Sequence, residues 1–273
     1  MKKALFTLLT LFLIQISCFA DSAIKFVQVT DTHFDLKNEN SVRLIEKCVK
    51  DINTLKGVSF VVFTGDNIAN PREDNLIGFI KRINKLKIPY YIVLGNHDVS
   101  KGQKLSKERY NQVVRLNNYF WFHLKWNYTF KKKGYTFIVL DGAKEVIPGP
   151  AGYYKEDTLE WFDKQLEKNE NRPVIIFQHY PVIESDAFPA SRYKTHKVYQ
   201  VEKYYDIINK YDNILAIISG HLHINSEIME NGIYHINTPT LLADPPSYKI
   251  IDIITKDKLS PIIYTQLKEV DVQ

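Results

Sequence analysis

Past its first twenty residues, this 273-residue chain has no apolar run long enough to cross a bilayer, a task that takes about 20 residues. It holds only two cysteines, Cys18 and Cys48. The first lies in a leader-like segment, so Cys48 is left without an internal partner and a disulfide framework is excluded. No internal repeat, low-complexity linker or long block of one charge interrupts the chain. That absence predicts a single domain over 21–273, a length able to bury one large core. Excess charge is scarce too. The formal net charge is +5, and loss of Lys2 and Lys3 with the leader would remove two of those charges. The lysines are scattered rather than striped, so nucleic-acid binding through bulk charge is not expected.

What is present begins with Met1-Lys2-Lys3, an apolar stretch from Ala4 to Ile16, and then Ser17-Cys18-Phe19-Ala20. This layout predicts a signal peptide over 1–20, a mature start at Asp21, and export to the periplasm or beyond the cell. An uncleaved amino-terminal anchor and lipid attachment at Cys18 are the alternatives. Against the second, Gln15 occupies a position where lipidation signals carry an aliphatic residue. Cys48, among apolar neighbours at helical spacing, reads as a small packed core residue.

Strands are predicted over 24–30, 58–64 and 90–94. Between them Val42, Ile45, Val49 and Ile52, and then Leu76, Phe79, Ile80 and Ile83, recur at helical spacing. Strand–helix alternation of this kind is the pattern of a parallel sheet covered by helices. A helix near 105–120 follows, then a hairpin of 127–131 and 135–141 turning through Lys132-Lys133-Gly134. A helix over 157–166, a strand over 174–178, a helix over 198–211 and a strand over 214–219 come next. The remainder reads as a β-meander: 225–229, 233–237, 249–254 and 262–266. The pattern alone therefore reaches an α/β protein with an increasingly antiparallel second half.

The polar residues collect at strand ends. Asp31 and His33 follow the first strand, Gly65-Asp66 the second, and Gly95-Asn96-His97-Asp98 the third. His179 follows the strand over 174–178, and Gly220-His221-Leu222-His223 the strand over 214–219. Five of the eight histidines fall at these ends. Open α/β sheets place their chemistry at the carboxyl ends of strands, so the set points to one site. Gly95 is read as the residue that lets the chain turn sharply.

The ordered motifs Asp-x-His, Gly-Asp, Gly-Asn-His-Asp, His and Gly-His-x-His resemble those of the calcineurin-like metallophosphoesterases. That superfamily includes purple acid phosphatases, class III cyclic-nucleotide phosphodiesterases and certain nucleases. The resemblance spans about Phe26 to Asn237. It implies two mixed β-sheets packed as a sandwich and flanked by helices. It also implies hydrolysis of phosphate esters by a metal-bound hydroxide, with Asp31, His33, Asp66 and His223 on one ion. Asp66, Asn96, His179 and His221 would hold the other, so Asp66 bridges. Mixed carboxylate, imidazole and amide ligands suit divalent Mn, Fe, Zn or Ni. His97 is then free to protonate the leaving oxygen, with Asp98 either holding the imidazole or capping the following segment. The substrate expected is a small phosphodiester or phosphomonoester of nucleotide type. A nuclease, or a non-catalytic metal-binding relative, is the alternative.

Two positions depart from the pattern. Ala69 stands where some members carry Asp or Asn, and Tyr180 where a second histidine is frequent. Both departures bear on substrate contacts rather than on ligands. His123 and His235 read as structural. The stretch 184–196, with Arg192, Tyr193, Lys194 and His196, is a candidate rim, and Arg72 a weaker candidate contact.

Overall fold

The computed structural model describes residues 22–118, 121–183, 196–255 and 261–271. The predicted leader lies outside them, as does most of the candidate rim. Among the described residues no helix is long and apolar enough to cross a membrane.

The chain runs β1 (Ser22–Val29), α1 (Glu39–Ile52), β2 (Val61–Thr64), α2 (Glu73–Ile83) and β3 (Tyr90–Val93), then α3 (Lys107–Asn117). The hairpin β4 (Tyr128–Lys132) and β5 (Tyr135–Val139) follows, then α4 (Glu156–Lys168), β6 (Val174–Phe177) and α5 (Val201–Ile208). The chain continues with β7 (Ile214–Ser219), β8 (Ser226–Glu230), β9 (Ile233–Asn237), β10 (Ser247–Thr255) and β11 (Pro261–Glu269). Side chains start the helices where the sequence provides them. Asn38 accepts from the backbone N–H groups of Asn40 and Ser41 ahead of α1, and Ser106 from that of Arg109 ahead of α3.

Two mixed sheets result, ordered β11-β10-β1-β2-β3 and β4-β5-β6-β7-β9-β8. The expected meander is corrected here. β8 and β9 do form an antiparallel hairpin, but β9 lies parallel to β7. β10 then leaves for the other sheet, where it pairs antiparallel with β1 from Ser22↔Thr255 to Gln28↔Lys249. Alternation in the sequence fixes which face each residue takes, but not which sheet accepts the strand.

Aromatic rings lock the sheets together. Phe26 and Phe60 stack at 5.0 Å on one side, and Phe137 and Phe177 at 5.5 Å on the other. Phe60 meets Phe137 edge-on at 5.1 Å, a favoured geometry for paired rings. Period two then decides the outer faces. Phe137, Ile175, Phe177, Ala216 and Ile218 join the inter-sheet core, while Ile138, Val174, Ile176 and Ile217 pack with Leu159, Phe162 and Tyr204 of α4 and α5. Cys48 is fully buried on α1, as expected.

Candidate metal centre

Strands β1, β2 and β3 run parallel, as do β6 and β7, so their carboxyl ends face one edge of the sandwich. The two sheets are stitched there by the functional residues themselves. The backbone N–H of His221 donates to Asp31 Oδ2 at 2.9 Å, and His179 Nδ1 lies 2.8 Å from the Thr64 carbonyl. Below them the fully buried Gln28 donates to Thr64 Oγ1 and the Ser219 carbonyl and accepts from Thr238. Its amide ties the ends of β2 and β7, which precede site residues, to the segment that follows β9.

Local backbone geometry singles out the same positions. Asp31, His33, Asp66, His221 and His223 all have φ between +39° and +69°, a region that side chains with a Cβ rarely adopt. They make up five of the nine non-glycine residues with positive φ among the described residues, so strain is concentrated at this edge. The role expected of Gly95 is corrected. Its φ is not positive; what matters is its missing Cβ, which would stand on the Asp66 carboxylate and backbone nitrogen. Gly220 gives the same clearance to Thr30 and Asp31.

The side chains converge in three overlapping groups, Asp31–His33–His223, Asp66–His179–His221 and, at the exposed mouth, His33–Asp66–His97. His223 Nε2 lies 3.1 Å from Asp31 Oδ1 and 3.3 Å from His33 Nε2. His221 Nδ1 faces His179 Nε2 at 3.1 Å, and His179 Nε2 is 3.4 Å from Asp66 Oδ1. His33 Nε2 stands 3.9 Å from both Asp31 and Asp66, between the groups. Ring nitrogens this close repel unless a proton or a cation lies between them. Two further atoms are buried without a hydrogen-bond partner, Asn96 Oδ1 and His221 Nε2. A carbonyl-type oxygen and an imidazole nitrogen left unpaired in this way are donor atoms for a divalent cation, so the residues fit a metal.

Electrostatics reinforces the grouping. Burial works to raise the Asp66 carboxyl, but the charge and hydrogen bond of His179 hold it well below the usual carboxylate range. Burial likewise opposes a proton on His179, yet the Asp66 and Asp31 carboxylates push it up to about 9. Burial, and then the charge on His179, push His221 down to about 3.

The open pocket has a volume of about 390 Å³ and is lined by His33, Asp66, Asn96, His97, His221 and His223, with Pro148, Gly149, Pro150 and His196 as its walls. His97 is exposed at the mouth, edge-on to His33 at 4.8 Å, and its Nδ1 is held by the Ala69 carbonyl at 2.9 Å. A backbone group therefore orients the ring, and the alanine at position 69 leaves that contact intact. The orienting role expected of Asp98 is corrected. Its buried carboxylate accepts from the backbone of Gly95, Asn67 and Ile68 and from the Asn67 amide, at 2.8–3.1 Å, and so fixes the two loops. Burial and the nearby Asp66 charge push it up to about 8, against the pull of those backbone donors. Nor does it cap a helix, since none follows before α3.

The other candidates sort cleanly. Tyr180 is fully buried with its ring 4.8 Å from both His179 and His221, so it packs behind those imidazoles and does not line the pocket. His123 stacks on Tyr128 at 3.8 Å, and His235 is buried within β9. Arg72 is exposed and paired with Asp74 at 2.6 Å. Of the candidate rim, 184–195 lie outside the described residues, while the His196 ring sits 5.1 Å from that of His221. The Pro148-Gly149-Pro150 wall was not anticipated. It carries no ionisable group, and only its rigid Pro-Gly-Pro composition could have marked it.

Comparison with known proteins agrees with this geometry. A probable glycerophosphodiester phosphodiesterase of Arcobacter nitrofigilis is 27% identical over 241 residues, covering 85% of this chain and 81% of the relative. A probable cyclic nucleotide phosphodiesterase of Colwellia psychrerythraea is 24% identical, covering 83% of this chain and 81% of its own length. The crystal structure of a dimetal phosphatase from Danio rerio shares the fold with a TM-score of 0.66 at 18% identity, covering 90% of this chain and 99% of that one. Residues 24–225 match the family model described as calcineurin-like phosphoesterase, and the chain belongs to that family of phosphoric ester hydrolases.

Proposed function

We propose that this chain hydrolyses small phosphodiesters at a centre holding two divalent cations. The observation that carries this is the convergence of Asp31, His33 and His223 next to Asp66, His179 and His221, with His33 and Asp66 close to each other and Asn96 Oδ1 and His221 Nε2 buried and unpaired beside them. Asp31, His33, Asp66 and His223 would hold one cation. Asp66, Asn96, His179 and His221 would hold the other. Divalent ions bound there supply Lewis acidity, lowering the pKa of water and drawing charge from phosphoryl oxygens. Asp31 and Asp66 are the only carboxylates in the ligand set, so the loaded site keeps a net positive charge that favours an anionic ester.

His97 is the group that moves a proton. Its Nδ1 is committed to the Ala69 carbonyl, which leaves Nε2 to protonate the departing oxygen. The wall of Pro148 to Pro150 and the modest pocket volume suit a small ester better than a duplex. The similarity to probable glycerophosphodiester and cyclic nucleotide phosphodiesterases supports the diester over the monoester. Manganese, iron, zinc or nickel would suit the ligand set. The basic start and apolar run of the first twenty residues support export.

The test is a screen of purified protein reconstituted with each of these metals, comparing bis(4-nitrophenyl) phosphate with 4-nitrophenyl phosphate. Metal-dependent turnover that favours the diester is expected. A protein that binds no transition metal would sink the reading.

A further inference from the structure

Among the residues that line the metal pocket, only His97 and His196 are ionisable and outside the ligand set proposed above. They reach the pocket from different sheets. His97 follows β3 and lies edge-on to His33 at 4.8 Å. His196 precedes α5, and its half-buried ring lies 5.1 Å from that of His221, which follows β7. The rest of the wall on the His196 side is Pro148, Gly149 and Pro150. Proline has no N–H to donate and glycine has no side chain, so His196 is the side-chain donor there.

The backbone just after His196 is anchored at the same edge. Val198 is buried in the cluster of Tyr154, Leu159 and Tyr204. The Tyr199 N–H donates to the Gly152 carbonyl at 2.9 Å, and Tyr199 pairs with Tyr153 in a parallel bridge. Gly152 lies on the connector that makes the Pro148–Pro150 wall, and a Cβ there would stand 2.5 Å from the Tyr180 ring. That ring packs 4.8 Å from His221. One buried tyrosine therefore backs both the wall and His221, and the segment carrying His196 is tied to the wall. An imidazole placed in this way is preorganised for a ligand in the pocket.

We propose that His196 is a substrate-binding residue that donates a hydrogen bond to a phosphoryl oxygen of the ester at the metal centre. This rests on the reading of the pocket as a phosphodiester site and adds the side chain that seats the ester in it. An imidazole carries a ring N–H whether neutral or protonated, so the contact needs no particular charge state. The phosphoryl oxygens of a diester share a negative charge, which makes them strong acceptors. They carry that charge before and during the reaction, so the bond acts on ground state and transition state alike. Losing it raises KM and leaves kcat in place. His97 differs, because its proton is needed only as the leaving oxygen departs. One hydrogen bond to a charged oxygen is worth about tenfold in affinity.

The test uses the manganese-loaded full chain, with calorimetric titration of inorganic phosphate and turnover of bis(4-nitrophenyl) phosphate and of a dialkyl phosphate diester. His196→Phe keeps a ring beside His221 but removes the N–H. It is expected to hold manganese as wild type does, to bind phosphate about tenfold more weakly, and to raise KM for both esters about tenfold at unchanged kcat. His196→Gln, which restores a donor, should keep most of the affinity. Phosphate binding in His196→Phe equal to that of wild type overturns the proposal. So does weaker manganese binding with phosphate affinity intact at full metal, which would make the ring a support for His221. A loss confined to kcat on the dialkyl ester would make His196 a second acid and overturns it too. If wild type loads manganese yet neither binds phosphate nor turns over either ester, the hydrolase reading itself fails and the proposal falls with it. An active wild type matched by His196→Phe sinks the role of His196 alone.

Discussion

The backbone N–H of His97 donates to Asp66 Oδ1 at 2.9 Å, so the residue proposed to deliver a proton is tied to the carboxylate proposed to bridge the cations. A shift of either loop would move both. His97→Ala should therefore preserve the backbone contact and the metal content while removing only the imidazole. With an alkyl leaving group, which needs protonation, kcat is expected to fall by about 10²–10⁴-fold. With 4-nitrophenolate, which leaves unaided, the loss should be far smaller. Equal losses on both substrates, at full metal content, would show that His97 acts in some other way.

Thr30 Oγ1 donates to Asp31 Oδ2 at 2.7 Å, and the Thr240 hydroxyl holds the Asp31 carbonyl at 2.6 Å. Thr30→Val keeps the shape of the side chain but releases the carboxylate. Partners that orient ligands in this way are typically worth about 10–100-fold in metal affinity. Competition with a chelator, read by elemental analysis, should show that loss in the variant. Metal affinity equal to that of wild type would separate Thr30 from the centre.

Asp98 makes a contrasting case, because its four donors lie in the two loops and none is on the imidazole. Asp98→Ala leaves those buried N–H groups unpaired and should cost about 2–4 kcal/mol of stability. The milder Asp98→Asn should lower the unfolding midpoint while leaving the leaving-group dependence of turnover as in wild type. A changed leaving-group dependence with an unmoved midpoint would restore the orienting role that the structure withdraws.

His235 is 3% exposed in β9, and burial pushes its imidazole down to about 4. The folded value lies below the ordinary one of about 6.5, so between these two the unfolded chain binds the proton more tightly. Stability is therefore lost as pH falls from about 6.5 towards 4, by about 3 kcal/mol at the limit. The difference in urea midpoint between wild type and His235→Leu should change across that window and level off on either side. A difference independent of pH would mean that the ring is solvated.

The sequence alone determined the order of strands and helices, because hydrophobic period reports burial on one face and needs no knowledge of the partner. Hence β7 and β9 lie at 214–219 and 233–237 as expected, and α1 and α2 extend their predicted cores by one turn. It also pointed to the residues that gather at one edge, since Asp31, His33, Asp66, Asn96, His179, His221 and His223 each lie within four residues of a strand's carboxyl end. What it could not determine was any relation across a gap in the chain. The transfer of β10 to the sheet of β1 depends on which sheet edge offers unpaired backbone groups, a property of the assembled core. For Asp98, expected either to hold the His97 imidazole or to cap the following segment, neighbourhood in sequence is a poor guide to contact. Its carboxylate instead points across to Asn67 and Ile68, whose buried N–H groups must be satisfied. Gly95, read as a turn residue, is required because another strand end brings Asp66 against it. The wall of Pro148 to Pro150 beside the pocket arises in the same way, from an irregular connector brought against the strand ends. Local chemistry was legible in the chain; the distances between its parts were set only when the two sheets packed.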